Sequence, residues 1–250
     1  MLSACAQEHQ SPSVEFQGTP SPIYRNSKEI PEEFYWTVGA KEQARGFYSS
    51  QGSLVSPSQF LMKGKGYLKL RPQNQDGYGT HDLVRLVQWA AEAVAAIYPQ
   101  GEPLRVGSAS RRQGGRFPPH SSHQNGLDVD LGYYLLSGRQ KSLGVLSLNT
   151  YSFGESMVKT NNVVSKNLDL ERTWVFFKLV VSSTRVSRIF VSPTIRKAFF
   201  RYSKQDLFTS LEEKEEVLRR LRPEPGHNTH FHLRLDCPPR SPSCVDEQAP

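Results

Sequence analysis

Apolar residues recur at helical spacing along the stretch between Thr80 and Pro99. They lie three or four positions apart, on one face of a helix with 3.6 residues per turn: Leu83, Leu86, Val87, Ala90, Ala91, Val94 and Ile97. Thr80 is of a residue type that caps helix N-termini, and Pro99 follows the last turn. The pattern predicts an amphipathic helix over residues 83–98.

Shorter patterns elsewhere in the chain predict further helices and two strands. We expect helices over residues 167–182, 194–202 and 211–221, the first capped by Asp169, and a short helix over residues 40–47. Residues 104–108 and 187–192 are strand candidates, the second because Ile189-Phe190-Val191 is apolar and rich in β-branched and aromatic side chains.

Two segments alternate strictly between polar and apolar residues. Residues 230–235 read His-Phe-His-Leu-Arg-Leu, and residues 128–131 read Asp-Val-Asp-Leu. Successive side chains of a strand point to opposite faces. Each segment is therefore expected to lay its apolar residues on a core and to present histidines or carboxylates on the other face.

Short strands mixed with separate helices, without a repeating β-α-β order, predict the α+β class. The 250 residues are enough for one substantial domain. We expect residues 32–250 to form that domain. Residues 1–31, rich in Gln, Ser, Pro and Glu, are expected to be a disordered tail or linker.

Composition narrows the class of protein only modestly. The hydrophobic fraction of 37% suits a globular protein, and no apolar run approaches the roughly 18 residues of a membrane helix. The net charge of +7, from 31 basic and 24 acidic residues, is consistent with an anionic partner, but a solvated basic surface accounts for it equally simply. No nucleic-acid-binding motif accompanies the charge, so we expect no nucleic-acid partner.

The three cysteines fall at informative places. Cys237 and Cys244 bracket a proline-rich loop that a disulfide could close, and two free thiols are the alternative. Leu2-Ser3-Ala4-Cys5 has the form of a bacterial lipoprotein processing site, which would place a lipid anchor on Cys5. No charged and apolar leader precedes it, so either the true start lies upstream or the match is chance.

Histidines and carboxylates predict a metal site. His123 and Asp130 are separated by a turn at Gly126, and the His-x-His pair lies about a hundred residues downstream. A catalytic zinc usually keeps three protein ligands and one open position for water. His123, Asp130 and His232 can supply the three, with His230 beside the metal to take a proton from the attacking water. A merely structural His-x-His pair is the alternative.

The order His-x6-Asp followed far downstream by His-x-His resembles the metallopeptidase group of lysostaphin-type peptidases, D-Ala-D-Ala carboxypeptidases and the hedgehog signalling domain. Residues 122–130, SHQNGLDVD, and 227–238, HNTHFHLRLDCP, look like the paired signatures of the penicillin-insensitive murein endopeptidases. Shorter matching pieces lie at residues 79–81, 114–115, 171–174 and 189–193, so the resemblance covers about residues 50–245.

This resemblance implies that His123, Asp130 and His232 bind one Zn²⁺ per chain and that His230 is the general base. The implied fold is a small antiparallel sheet that carries the zinc site, flanked by helices and long loops.

The resemblance also implies roles for the residues around the ligands. His227 accompanies the general base, His120 lines the site, and Cys237 pairs with Cys244. Asp128 is expected to support the site or to cap a turn, because the family pattern selects Asp130 as the ligand.

The implied function is a zinc-dependent endopeptidase that hydrolyses the D-Ala–diaminopimelate type of peptide cross-link in peptidoglycan. It would work in the periplasm or cell envelope, although the chain as given lacks an export signal. The alternatives are a D,D-carboxypeptidase that trims terminal D-Ala, and a zinc-bearing wall-binding module without chemistry. Two positions depart from the family: Ser108 stands where an acidic residue is usual, and Ser53 where a cysteine is usual, so a second disulfide is not expected.

Overall fold

The structure, a computed structural model, describes residues 43–47, 49–136, 153, 156–183, 185–239 and 241–246. The predicted tail of residues 1–31, with Cys5, lies outside the described residues. The described α-helices are α1 (His81–Ile97), α2 (Leu170–Ser182), α3 (Pro193–Gln205) and α4 (Leu211–Arg220), and Pro72–Asn74 form a single 3-10 turn. The mixture of these helices with three sheets confirms the α+β class.

Twelve strands are described, and most are short. They are β1 (Gln43–Phe47), β2 (Ser50–Val55), β3 (Ser58–Gln59), β4 (Lys63–Gly64), β5 (Tyr67–Lys69), β6 (Tyr78–Gly79), β7 (Leu104–Val106), β8 (Asp128–Gly132), β9 (Val186–Val191), β10 (Leu221–Pro223), β11 (His230–Leu235) and β12 (Cys244–Val245).

The predicted short helix over residues 40–47 is wrong where the structure describes it, because residues 43–47 form β1. This strand pairs antiparallel with β2 and parallel with β12. Gly46 has a φ of 68°, in the left-handed region that a right-handed helix excludes. Pairing with the adjacent β2, and at Gly46 and Phe47 with the distant β12, therefore overrides the helical pattern of the segment.

The main sheet has seven strands in the order β10-β9-β11-β8-β7-β5-β4. It is larger than the predicted small antiparallel sheet, and it is mixed: β10 runs parallel to β9, and β5 runs parallel to β7. Its central strands β9, β11, β8 and β7 are antiparallel neighbours. The two segments with polar and apolar alternation, β8 and β11, therefore lie side by side.

The register between β8 and β11 decides which side chains share a face. His232 is paired with Asp130, and Arg234 with Asp128. The intervening Phe231 and Leu233 are fully buried, as are Val129 and Leu131 of β8. This confirms the predicted separation of an apolar from a polar face. Each large apolar side chain buried in this way contributes about 1.5–3 kcal/mol.

Helix α2 covers the apolar face. Phe176 and Phe177 place their ring centroids 5.7 and 5.0 Å from that of Phe231. The backbone N–H of Arg172 donates to the Asp169 carboxylate at 2.9 Å, which confirms Asp169 as the cap of this helix. The core thus fixes β11 from behind and leaves its histidines on the opposite side.

Helix α1 is tied to the turn that precedes β8. The Thr80 hydroxyl accepts from the N–H of Leu83 at 3.3 Å, as its capping role predicts, and the Thr80 N–H donates to the carbonyl of Gly126 at 2.8 Å. The helix start therefore supports the chain between His123 and Asp130. Among the described helices, none is long and apolar enough to cross a membrane.

Cys237 and Cys244 form a disulfide, as the resemblance implied. The bond closes the loop between β11 and β12, and the hydroxyl of Ser241 in this loop accepts from the N–H of Ala44 at 3.1 Å. The loop thereby connects the end of β11 to β1. Ser53 lies in β2 and forms an isolated bridge with Gly114.

Candidate metal centre

The Asp130 carboxylate is the centre of a histidine cluster. Its Oδ1 lies 3.3 Å from Nε2 of His123, 3.4 Å from Nδ1 of His232 and 3.8 Å from Nε2 of His230. Its Oδ2 lies 3.5 Å from Nδ1 of His120. Four histidines that are up to 112 positions apart therefore face one carboxylate.

A strained turn delivers His123 to this cluster. His123 has a φ of 67°, which is unusual for a residue with a side chain, and Gly126 follows with a φ of 80°. A Cβ at Gly126 would lie 2.7 Å from the Leu54 side chain and 3.1 Å from the backbone N of Thr80, so the available space and the positive φ both favour glycine there. The Ser110 hydroxyl braces the turn because it donates to the His123 carbonyl at 2.6 Å and accepts from the Gly126 N–H at 2.9 Å.

Hydrogen bonds also fix the ring orientations of His123 and His232. Nδ1 of His123 donates to the carbonyl of Ala109 at 2.8 Å, which turns Nε2 towards Asp130. Nε2 of His232 donates to Asp128 at 2.6 Å, which turns Nδ1 towards Asp130. Metal-binding histidines are commonly oriented in this way by a carbonyl or a carboxylate.

Asp128 is fully buried and serves two partners. Besides His232, its Oδ1 accepts from Nε of Arg234 at 2.7 Å. Burial opposes its ionisation, but the charges of Arg234 and His232 outweigh burial and hold its pKa below the usual range. The strand register that pairs Arg234 with Asp128 thus supplies the countercharge for the group that orients His232.

Burial and charge set the protonation of the cluster. Burial opposes the ionisation of Asp130, but the imidazoles of His123 and His232 outweigh it, so the pKa of Asp130 is lowered. Burial lowers the pKa of His230 to about 4 and that of His120 to about 4. Both rings are neutral near pH 7, as a metal ligand or a proton acceptor must be.

His230 and His227 lie at the edge of the cluster. Nδ1 of His230 is 3.0 Å from the hydroxyl of Thr229, and its ring stacks on Phe153 with centroids 4.8 Å apart. The ring centroids of His227 and His230 lie 5.1 Å apart. The backbone carbonyl of His227 accepts a hydrogen bond from the hydroxyl of Tyr133 at 3.1 Å. All the histidines predicted for the site are therefore brought together.

The candidate metal ligands that lie closest together in the structure differ by one residue from the ligands predicted from the sequence. Among the described residues, His120, His123 and Asp130 present ligand atoms that all lie within 4.8 Å of one another. His120 was expected to line the site, whereas His232 was expected to be a ligand. This His120/His123/Asp130 group is a candidate metal site, and His232 stands 3.4 Å from the same carboxylate.

A buried charged network supports the site from behind, and sequence reasoning missed it. The Ser108 hydroxyl donates to Oδ2 of Asp76 at 2.9 Å, and Nζ of Lys69 donates to Oδ1 of Asp76 at 2.7 Å. The Ser108 carbonyl accepts from the N–H of Asp130 at 2.8 Å. Asp76 thus brings a carboxylate to Ser108, the position where the resemblance led us to expect an acidic residue. The departure at Ser108 was the one available signal, but it could not show which loop would compensate.

Comparison with known proteins gives one consistent result. Residues 44–250 match the family model described as penicillin-insensitive murein endopeptidase. A relative of that name from Klebsiella pneumoniae is 30% identical over 215 residues, which is 85% of this chain and 73% of the relative. Another from Haemophilus influenzae is 29% identical over 245 residues, covering 95% and 77%. One from Escherichia coli is 29% identical over 214 residues, covering 85% and 73%.

Proposed function

Since the chain belongs to the penicillin-insensitive murein endopeptidase family, we propose that it is a zinc-dependent endopeptidase acting on peptide cross-links of peptidoglycan. The bond cut is of the D-Ala–diaminopimelate type, and the place of action is the periplasm or cell envelope, where this polymer lies. The observation that carries the proposal is the approach of His123, His230 and His232 to one carboxylate oxygen, each within 3.8 Å.

The donor set suits zinc. Two imidazoles and a carboxylate are ligands that zinc accepts in catalytic sites, where a fourth position stays open. We assign the ligands as His123, Asp130 and His232. In each of the two histidines, the ring nitrogen that points away from Asp130 is held by a hydrogen bond, to the Ala109 carbonyl in His123 and to the Asp128 carboxylate in His232.

His120 is left as a lining residue, although it belongs to the geometric cluster. Its side chain is 24% exposed, against 2% for His123 and 9% for His232. No described residue anchors its second ring nitrogen as Ala109 and Asp128 anchor those of the two ligands. It is better placed to meet a substrate than to be held on an ion.

A zinc ion held there would supply a Lewis acid that polarises the scissile carbonyl and lowers the pKa of water towards about 7. His230 accepts the proton of the attacking water and returns it to the leaving amine. Its ring is neutral near pH 7, and Thr229 holds Nδ1 so that Nε2 faces the cluster. General base catalysis of this kind contributes about 10²–10⁴ in rate. His227 closes the site beside it.

Digestion of purified cross-linked muropeptides tests the proposal. The protein should convert dimers to monomers, lose the activity with a chelator and regain it with added Zn²⁺. Release of D-Ala from linear pentapeptides without cleavage of dimers would instead identify a D,D-carboxypeptidase. Activity that survives exhaustive chelation would contradict the role of the metal.

The role of His230 has its own test. His230→Ala should retain zinc at one ion per chain and lose hydrolysis, because the proton acceptor is removed while the ligands remain. His81→Ala is the matched control, since His81 contacts Ser58 and lies outside the cluster. Full activity of the His230→Ala protein would contradict the assignment. Wall binding with no hydrolysis by the unmutated protein would indicate a binding module.

A further inference from the structure

A cavity of about 520 Å³ opens beside the metal-site cluster. His120 lines it and at the same time places Nδ1 3.5 Å from the Asp130 carboxylate. The volume lies in the range of pockets that enclose a small ligand or one to two residues of a peptide. A group seated in this cavity therefore lies next to the bond that the site would cut.

The lining of the cavity has one permanent charge. Arg116 contributes a guanidinium, and the other lining residues are neutral serines, glutamines and prolines besides His120. The ion pairs of the described residues give Arg116 no acidic partner, and its side chain is exposed. A guanidinium in this situation is suited to a carboxylate brought by a ligand, which it can bind through two parallel N–H groups.

The walls around Arg116 are tied to the metal-site loop. The N–H of Gly115 donates to the carbonyl of Gln124 at 2.9 Å, and the Gln124 side chain donates to the carbonyl of Ser49 at 2.7 Å. Phe117 packs against the ring of His120 with centroids 4.9 Å apart. The residues before and after Arg116 are therefore held in fixed relation to His120 and to the adjoining His123.

We propose that this cavity is a subsite for a free carboxylate of the substrate peptide, with Arg116 as its countercharge. The proposal rests on the proposed function, since it supposes that the scissile amide lies at Asp130. The ligand class is a peptide whose free carboxylate lies within one or two residues of the amide that is cut. Arg116 is a specificity-determining residue and takes no part in the proton transfers.

The test is a double-mutant cycle in which one change removes Arg116 from the protein and the other removes the charge of the substrate carboxylates. Cleavage of one cross-linked peptide with its free carboxylates is compared with cleavage of the same peptide after amidation, by the parent protein and by Arg116→Ala. The parent should prefer the free acid by about tenfold or more in kcat/KM, as expected for a charge-assisted hydrogen bond. Arg116→Ala should reduce this ratio to about 1 and should cleave the amidated peptide as the parent does.

Two further variants separate charge from geometry. Arg112→Ala removes an equal charge from the same exposed loop without touching the cavity lining, and it should keep the parent's preference. Arg116→Lys keeps the charge but not the paired N–H groups, so it should retain part of the preference. A loss of rate that is equal for both peptides, or an unchanged preference in Arg116→Ala, would overturn the subsite.

Failure of the proposed function gives a different result. If the parent cleaves neither peptide, the endopeptidase assignment fails, and the subsite is then tested by binding of the same two peptides in a calorimeter. A preference for the free acid that disappears in Arg116→Ala supports the subsite independently of catalysis. Equal binding of both peptides by the parent overturns it.

Discussion

Removal of the Asp76 carboxylate should destabilise the protein by about 3–5 kcal/mol, because it leaves the ammonium group of Lys69 unpaired in the interior. The two side chains are only 2% and 1% exposed, and Nζ of Lys69 lies 2.7 Å from Oδ1 of Asp76. Burial disfavours the charged form of Lys69 and lowers the pKa of this group even with Asp76 beside it. The Ser108 hydroxyl would also lose its acceptor.

The predicted loss of stability distinguishes the buried Lys69–Asp76 pair from an exposed ion pair with a similar N–O distance. Lys65 and Glu92 lie 2.9 Å apart, but their side chains are 81% and 52% exposed. Water screens such a pair, so Glu92→Ala should cost less than about 1 kcal/mol. It is the matched control for Asp76→Ala.

The assay is urea unfolding of four proteins: the parent, Asp76→Ala, Glu92→Ala and the double variant Lys69→Met/Asp76→Ala. The double variant removes the unpaired charge and should recover about 2 kcal/mol or more relative to Asp76→Ala. If Asp76→Ala costs no more than Glu92→Ala, or if the double variant recovers nothing, the reasoning about the buried pair is refuted.

Three other predictions concern the site and its frame. Asp128→Asn should weaken zinc binding about 10–100-fold, measured by competition with a chelating dye, because His232 loses the carboxylate that orients it; an unchanged affinity would contradict this. Cys237→Ser with Cys244→Ser should lower the free energy of unfolding by about 2 kcal/mol, the value for so short a loop, and no change would refute a stabilising disulfide. Burial raises the pKa of Glu102 above its usual value of 4.5, so the folded state favours the protonated carboxyl. The stability that this group contributes is fully present below pH 4.5 and is lost as the pH rises through the pKa of the folded state. Glu102→Gln should abolish this loss of stability in thermal melts recorded from pH 4 to 7.

The alternation of polar and apolar residues made the centre of the fold predictable. On β8 and β11 the pattern depends only on the period of a strand, and burying Val129 and Phe231 on a common core leaves Asp130 and His232 on the other face. Helix α1 was predictable for a similar reason, since its cap and its apolar face are both local.

The parts that could not be predicted depend on partners outside the segment itself. Residues 43–47 form a strand because four of them pair with β2, which follows directly in the chain, and because Gly46 and Phe47 also pair with β12 near the end of the described chain. Asp76 approaches Ser108 across 32 positions because of the path of a loop, and nothing in the local pattern encodes that path.

The most direct test of the metal centre is an equilibrium zinc titration of the parent, His232→Ala, His120→Ala and His230→Ala. We predict one ion per chain in the parent, loss of tight binding in His232→Ala, and retention of the ion in the other two variants. Tight binding that persists in His232→Ala and disappears in His120→Ala would contradict the assigned ligands, and a parent that binds no zinc would contradict the metal centre itself.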